Sequence, residues 1–123
     1  MHSGIFELRE IPEDMPDFLI EIEEKHHEIE QALLKLEGDP GDLELLNQIF
    51  RALHTVKGDA RIVNLDPMVD FAHVVESIVE FIREGTFKFD SHLSEIILLS
   101  ADRILHMTRD VASTGKCKVG DLH

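Results

Sequence analysis

Apolar residues recur at three- and four-residue intervals along most of the chain, and the runs are separated by short clusters of glycine, proline, aspartate and asparagine. That period belongs to amphipathic helices. Residues 1–11 read as a short lead. Pro12 with Glu13 and Asp14 marks a helix start with acidic residues in the first turn, and Pro16 shifts that start a few residues on. The first helix runs to about Glu37 with Phe18, Leu19, Ile22, Ile29, Leu33 and Leu36 on its apolar stripe, and it is stopped by Gly38, Asp39, Pro40 and Gly41. Asp42 then caps a second helix.

The second helix directs Leu46, Ile49, Phe50, Leu53, Val56, Ala60 and Val63 to a core, leaving Asn47, Arg51, His54, Gly58 and Arg61 as a row facing solvent. Asn64 tolerates the left-handed conformation that closes it, and Asp66 with Pro67 begins a third. The third helix packs through Met68, Phe71, Ala72, Val75, Val79 and Ile82 and ends near Gly85. Asp90 or Ser91 caps a fourth. That helix carries Leu93, Ile97, Ala101, Ile104 and Val111 on one stripe, widened by Leu98 and Leu105, as far as about Ala112. Connections this short place successive helices antiparallel, so the expected fold is all-α: an up-down-up-down four-helix bundle over residues 1–112, followed by a flexible tail over 113–123. No strand signal, internal repeat or low-complexity segment competes.

Composition narrows the function classes. The 123 residues suffice for one core without staples, and 43% of them are hydrophobic. The single cysteine, Cys117, provides neither a disulfide framework nor a multi-cysteine zinc site, so a reducing cytoplasm is the expected compartment. No secretory leader and no bilayer-length apolar segment is recognisable. A net charge of −13 argues against nucleic acid and anionic membranes, both of which need a basic footprint. A protein partner is expected instead, with the domain itself monomeric.

Against that acidity, Arg51, Lys57 and Arg61 surround His54 as a cationic island. Gly58 stands four residues beyond the histidine, inside a helix, where glycine costs about 1 kcal/mol relative to alanine. A missing side chain at i+4 clears space beside the imidazole. A surface histidine or a kink-marking glycine accounts for either residue alone. Together, a nucleophile, a cation at i+3, a cleared position at i+4 and two flanking arginines suit reversible phosphorylation of the histidine, with the cations stabilising incoming oxyanions. If the turn between the second and third helices centres on Leu65, His54 lies level with Glu76 and Lys57 level with His73. Glu76 is then the candidate that fixes the imidazole tautomer; the alternative places Glu76 and His73 on a solvated helix face.

The run from Phe50 to Gly58, with His73, Glu76 and the glycine closing the third helix at Gly85, resembles the histidine phosphotransfer domain, and more closely the version at the N-terminus of chemotaxis-type histidine kinases. The resemblance covers most of the chain. It implies that His54 accepts a phosphoryl group on the ring nitrogen far from the backbone and exchanges it with the aspartate of a response-regulator receiver domain, or takes it from a histidine kinase catalytic domain. It matches Lys57, Gly58, Glu76 and His73 to the family's site. It also implies a phosphocarrier with no cofactor of its own, magnesium being the receiver's requirement. Asp59, Arg61 and Asn64 depart from the family pattern, and Asp59 either repels phosphate, tunes partner choice or points away from His54.

Two other classes compete. Glu23 with His26, Glu24 with His27, and Asp70 with His73 imitate the spacing of di-iron carboxylate bundles, but the first two pairs are offset by one residue and full motifs are missing. On that spacing His26 falls on the apolar stripe as a half-buried structural residue, and His27 faces solvent. A phosphate-independent helical adaptor using Leu98, Leu105 or the surface around Gly58 would keep the fold, yet it has no use for His54, Lys57, Gly58 and Glu76 together. The chain also lacks a glycine-rich phosphate loop, so it cannot use ATP alone.

Overall fold

The computed structural model describes residues 4–118 and consists of β1 (Ile5–Glu7), α1 (Met15–Gly38), α2 (Leu43–Ile62), α3 (Asp66–Arg83), α4 (Ser91–Thr114) and β2 (Lys116–Lys118). Each helix begins and ends for a local reason. Pro16 sits in the first turn of α1, so the helix starts at Met15 rather than at Pro12. The Asp42 carboxylate accepts the backbone N–H groups of Glu44 and Leu45, and the Asp90 carboxylate accepts that of Leu93. Asn64 closes α2 at φ +62°, a left-handed conformation that asparagine tolerates. Gly85, at φ +86°, ends α3 in a Schellman motif, with Thr86 N–H donating to the Phe81 carbonyl and Gly85 N–H to the Ile82 carbonyl.

The four helices form the expected up-and-down bundle. α2 packs against α1 on one side and α3 on the other, α1 also packs against α4, and the α3–α4 seam is the thinnest. Being flanked on both sides, α2 buries Leu45 and Ala52 in addition to the expected Leu46, Ile49, Leu53, Val56 and Ala60, whereas Phe50 is only half-buried at its margin. Leu105 is buried and Leu98 half-buried, so neither offers the open docking surface an adaptor would need.

The chain ends differ from the sequence expectation. α4 continues two residues beyond Ala112, and Gly115, at φ +76°, turns the chain into β2. β2 pairs antiparallel with β1, in the register Ile5 to Lys118, Phe6 to Cys117 and Glu7 to Lys116, and Leu8 N–H donates to the Gly115 carbonyl at 2.9 Å. Leu8 and Cys117 join the core. The tail expected over 113–123 is therefore ordered through Lys118, and its last five residues lie outside those described. Three-residue strands are too short to show an alternating pattern, and no tight turn links partners so far apart in the chain.

Candidate functional site

His54 and Lys57 occupy adjacent turns of α2, and Glu76 lies opposite them on α3, where the short Val63–Leu65 connection sets the register between the two helices. The Glu76 carboxylate is buried between the helices. One of its oxygens lies 2.8 Å from His54 Nδ1, and the other accepts from Lys57 Nζ at 2.6 Å. The level expected for His54 and Glu76 is thus a direct contact, and Glu76 does not belong to a solvated face. The half-buried ammonium of Lys57 is held by the same Glu76 carboxylate. His73 is exposed, with its Nδ1 3.6 Å from the Glu76 oxygen that Lys57 holds.

Burial pushes the Glu76 carboxyl upward, but the Lys57 and His54 hydrogen bonds outweigh it and hold the group below the ordinary glutamate value. Glu76 is therefore ionised near neutrality and can only accept, so the proton between it and His54 belongs to Nδ1. In the neutral ring the lone pair is then on Nε2, on the far side of a ring whose side chain is 68% exposed. His54 thus turns Nε2 to solvent while a buried anion holds Nδ1.

The site opens onto a shallow depression lined by Phe50, His54 and Lys57 from α2 and by His73, Glu76 and Glu80 from α3. A side-chain carbon added at Gly58 would meet no atom within 4 Å, so packing inside the domain does not demand a glycine there. Arg51 and Arg61 lie on the exposed face of α2 but do not line the depression. Arg51 pairs with Glu44 at 3.1 Å and borders a groove between α1 and α2 that also contains Lys25 and Lys35. Asp59 turns toward α1, beside Asp14, Asp17 and Glu21, where burial raises its carboxyl above the ordinary value despite the nearby Lys25. It points away from His54.

The residues of the metal-bundle alternative are engaged elsewhere. Half-buried His26 bonds Asp102 of α4 through Nε2 at 2.7 Å, Glu23 pairs with Arg109, and His27 is exposed. Among the described residues no group of three or more histidine, cysteine, aspartate or glutamate side chains is arranged to hold a metal ion. Sequence reasoning missed the cation that flanks two residues lining the depression, Glu80 and Phe50. Arg83 bonds Glu80 at 2.9 Å and places its guanidinium 4.5 Å from the centre of the Phe50 ring. The signal was present in the spacing, since residues 76, 80 and 83 fall on one helix face.

The family model described as the Hpt domain matches residues 15–112. The sensor histidine kinase CheAY of Helicobacter pylori is 35% identical over 106 residues, which make up 86% of this chain and 13% of that protein. The chemotaxis protein CheA of Rhizobium meliloti is 36% identical over 98 residues, 80% of this chain and 13% of that protein. The chain therefore spans about an eighth of the length of these relatives. Among solved structures, the CheA phosphotransferase domain from Thermotoga maritima superposes with a TM-score of 0.77 at 34% identity, covering 80% of this chain and 94% of that one. The phosphorylated P1 domain of CheA3 from R. sphaeroides, solved in complex with CheY6, has the same fold at 24% identity and a TM-score of 0.75, covering 83% of this chain and 80% of that one. The match along α1 to α4, over a bundle with a glutamate-held histidine on its surface, shows that this chain belongs to the Hpt family of histidine phosphotransfer domains.

Proposed function

We propose that His54 is the phosphoacceptor of this domain and that Nε2 is the atom that carries the phosphoryl group. The observation that carries this reading is the bond from Nδ1 to buried Glu76, which places the lone pair of the neutral ring on Nε2 and turns that nitrogen outward. In transfer from a receiver, the Nε2 lone pair attacks phosphorus and the bond from phosphorus to the aspartate oxygen breaks, the carboxylate leaving with the electron pair. The ring becomes cationic while keeping its Nδ1 proton, and Glu76 stabilises that charge where it develops. The reverse reaction returns the lone pair to Nε2. Lys57 holds the Glu76 carboxylate in place and offers its remaining N–H donors to the phosphoryl oxygens. His73 borders the same carboxylate, and Gly58 leaves room for a partner's surface. Arg51 and Arg61 supply a basic approach for an acidic receiver face.

The domain is a phosphocarrier without a nucleotide site of its own. Its partners are a response-regulator receiver, which supplies the aspartate and its magnesium, and a histidine kinase catalytic domain; the complex of the R. sphaeroides domain with CheY6 supports the first. It needs no cofactor, binds neither nucleic acid nor membrane, and works as a monomeric unit in the cytoplasm. No helix among the described residues is long and apolar enough to cross a membrane, and the relatives are chemotaxis kinases.

The test is phosphoryl transfer from a panel of phosphorylated receivers with magnesium, comparing the wild type with His54→Gln by intact mass and by acid lability of the label. The expected result is one acid-labile phosphoryl group on the wild type and none on the variant, which keeps its fold because the side chain is exposed. Label retained in His54→Gln, or absent from the wild type with every donor, refutes the assignment.

A further inference from the structure

Two carboxylates share the depression beside His54, and each has its own cation. Glu76 is answered by Lys57 at 2.6 Å and Glu80 by Arg83 at 2.9 Å. The second pair is partly exposed, and an i,i+3 pair in such a setting contributes little to stability. Its placement gives it a different use. Arg83 lies over the ring of Phe50, which lines the depression from α2, so the guanidinium is held both by an aromatic face and by the carboxylate it neutralises. A lysine has no planar group to stack in this way.

We propose that Arg83 is a positioning residue for phosphoryl transfer: clamped between Phe50 and Glu80, it cancels the Glu80 charge and so keeps the depression neutral for an arriving phosphoryl anion. The inference rests on His54 being the phosphoacceptor. With Arg83 in place, the charges of Lys57, Glu76, Glu80 and Arg83 sum to zero. Without it, one uncompensated carboxylate faces a phosphoryl group that carries one to two negative charges. Across one to two helical turns in a watery dielectric, that repulsion corresponds to about two- to tenfold in rate.

The experiment uses phosphoramidate, a small anionic P–N donor that needs no protein surface to dock. The Nε2–P bond forms as the donor's P–N bond breaks, and ammonia leaves. The rate of labelling at His54 is followed by intact mass at low and at high ionic strength. Arg83→Met, which keeps an aliphatic chain over Phe50, is expected to slow labelling about two- to tenfold at low salt. The deficit should shrink in 1 M salt, because screening acts within about 3 Å there. Adding Glu80→Gln to Arg83→Met should restore the rate, which loss of packing does not predict. Arg83→Lys, which keeps the charge without the stacked plane, should fall between Arg83→Met and the wild type. A double variant as slow as Arg83→Met, or an Arg83→Met rate equal to wild type at low salt, overturns the inference while leaving His54 as the acceptor. A wild type that takes no label from phosphoramidate or from any receiver overturns both readings.

Discussion

Replacing Lys57 by methionine leaves the Glu76 carboxylate buried with its principal counter-charge removed. The two side chains are 14% and 7% exposed and meet at 2.6 Å, so the pair lies at the rim of the interior rather than in open water. Breaking one partner of a fully buried pair costs about 3–5 kcal/mol, and a surface pair is worth below about 1 kcal/mol. The shallow depression on one side of Glu76, together with the bond it keeps to His54, places the expected cost near 2 kcal/mol, on the order of an 8 °C fall in Tm for a chain of this length. Urea unfolding at pH 7 followed by circular dichroism measures it directly. The double variant Lys57→Met with Glu76→Gln should regain more than half of the loss, because no unpaired charge then remains buried. The pH dependence has a definite sign. Glu76 is held below the ordinary value, so its contribution is complete at neutral pH and is lost as pH falls through its lowered folded value. In Lys57→Met burial persists while the larger of the two hydrogen bonds opposing it is gone, so the folded value rises, protonation relieves the stranded charge, and the stability gap between variant and wild type should narrow as pH falls. A single variant within about 0.5 kcal/mol of wild type, or a double variant no more stable than the single, would falsify the account of Glu76 as a buried anion held by Lys57.

Gly58→Ala should stabilise the domain by about 1 kcal/mol, since the added carbon meets nothing and the helix gains a better former. The same variant should take label from phosphoramidate at the wild-type rate yet slow transfer from a phosphorylated receiver; equal rates with both donors would remove the reason for a glycine at this position. Glu76→Gln should slow phosphorylation of His54 on the order of ten- to a hundredfold without abolishing it, measured by single-turnover labelling, because the amide still accepts from Nδ1 but no longer balances the cationic ring. Cys117→Ser should cost about 1–2 kcal/mol in urea unfolding because it places a hydroxyl among apolar neighbours in the core. A frayed tail predicts no cost at all.

The helices were legible because their signals are local. Asp42, Asn64, Gly85 and Asp90 each act within a few residues of where they stand, and the apolar stripes repeat often enough to be read. The level of His54 and Glu76 was legible too, since a short turn and a fixed rise per residue leave few registers. What the pattern could not carry was burial created by another element. Glu76 resembles a surface glutamate until α2 covers it, and Lys57, 19 residues away, supplies the charge that makes its burial tolerable. The cationic island was overstated for a related reason. Arg51 and Arg61 share a row with His54, but ten residues of helix span about 15 Å, and neither reaches the depression. The ribbon of β1 and β2 was invisible because each strand is three residues long and its partner lies at the opposite end of the chain.

The arrangement separates what holds the domain together from what reacts. Glu76 is buried and ionised, fixed to both helices that frame the site, and substitutions there register in stability as well as in rate. His54, one bond away, is exposed, so its reactivity can be altered with little effect on the core. Gly58 fits the same division from the other side: it weakens α2 slightly and an added side-chain carbon would meet nothing inside the domain, which agrees with the proposed use of the cleared surface by a partner. A deep cleft would be a disadvantage to such a carrier. Enclosing Nε2 would strengthen contacts with a phosphoryl group, but under the proposed function it would also shut out a receiver aspartate approaching in line. A shallow depression, an oriented ring and an ordered scaffold together let the chemistry be completed by whichever partner supplies the second half of the site.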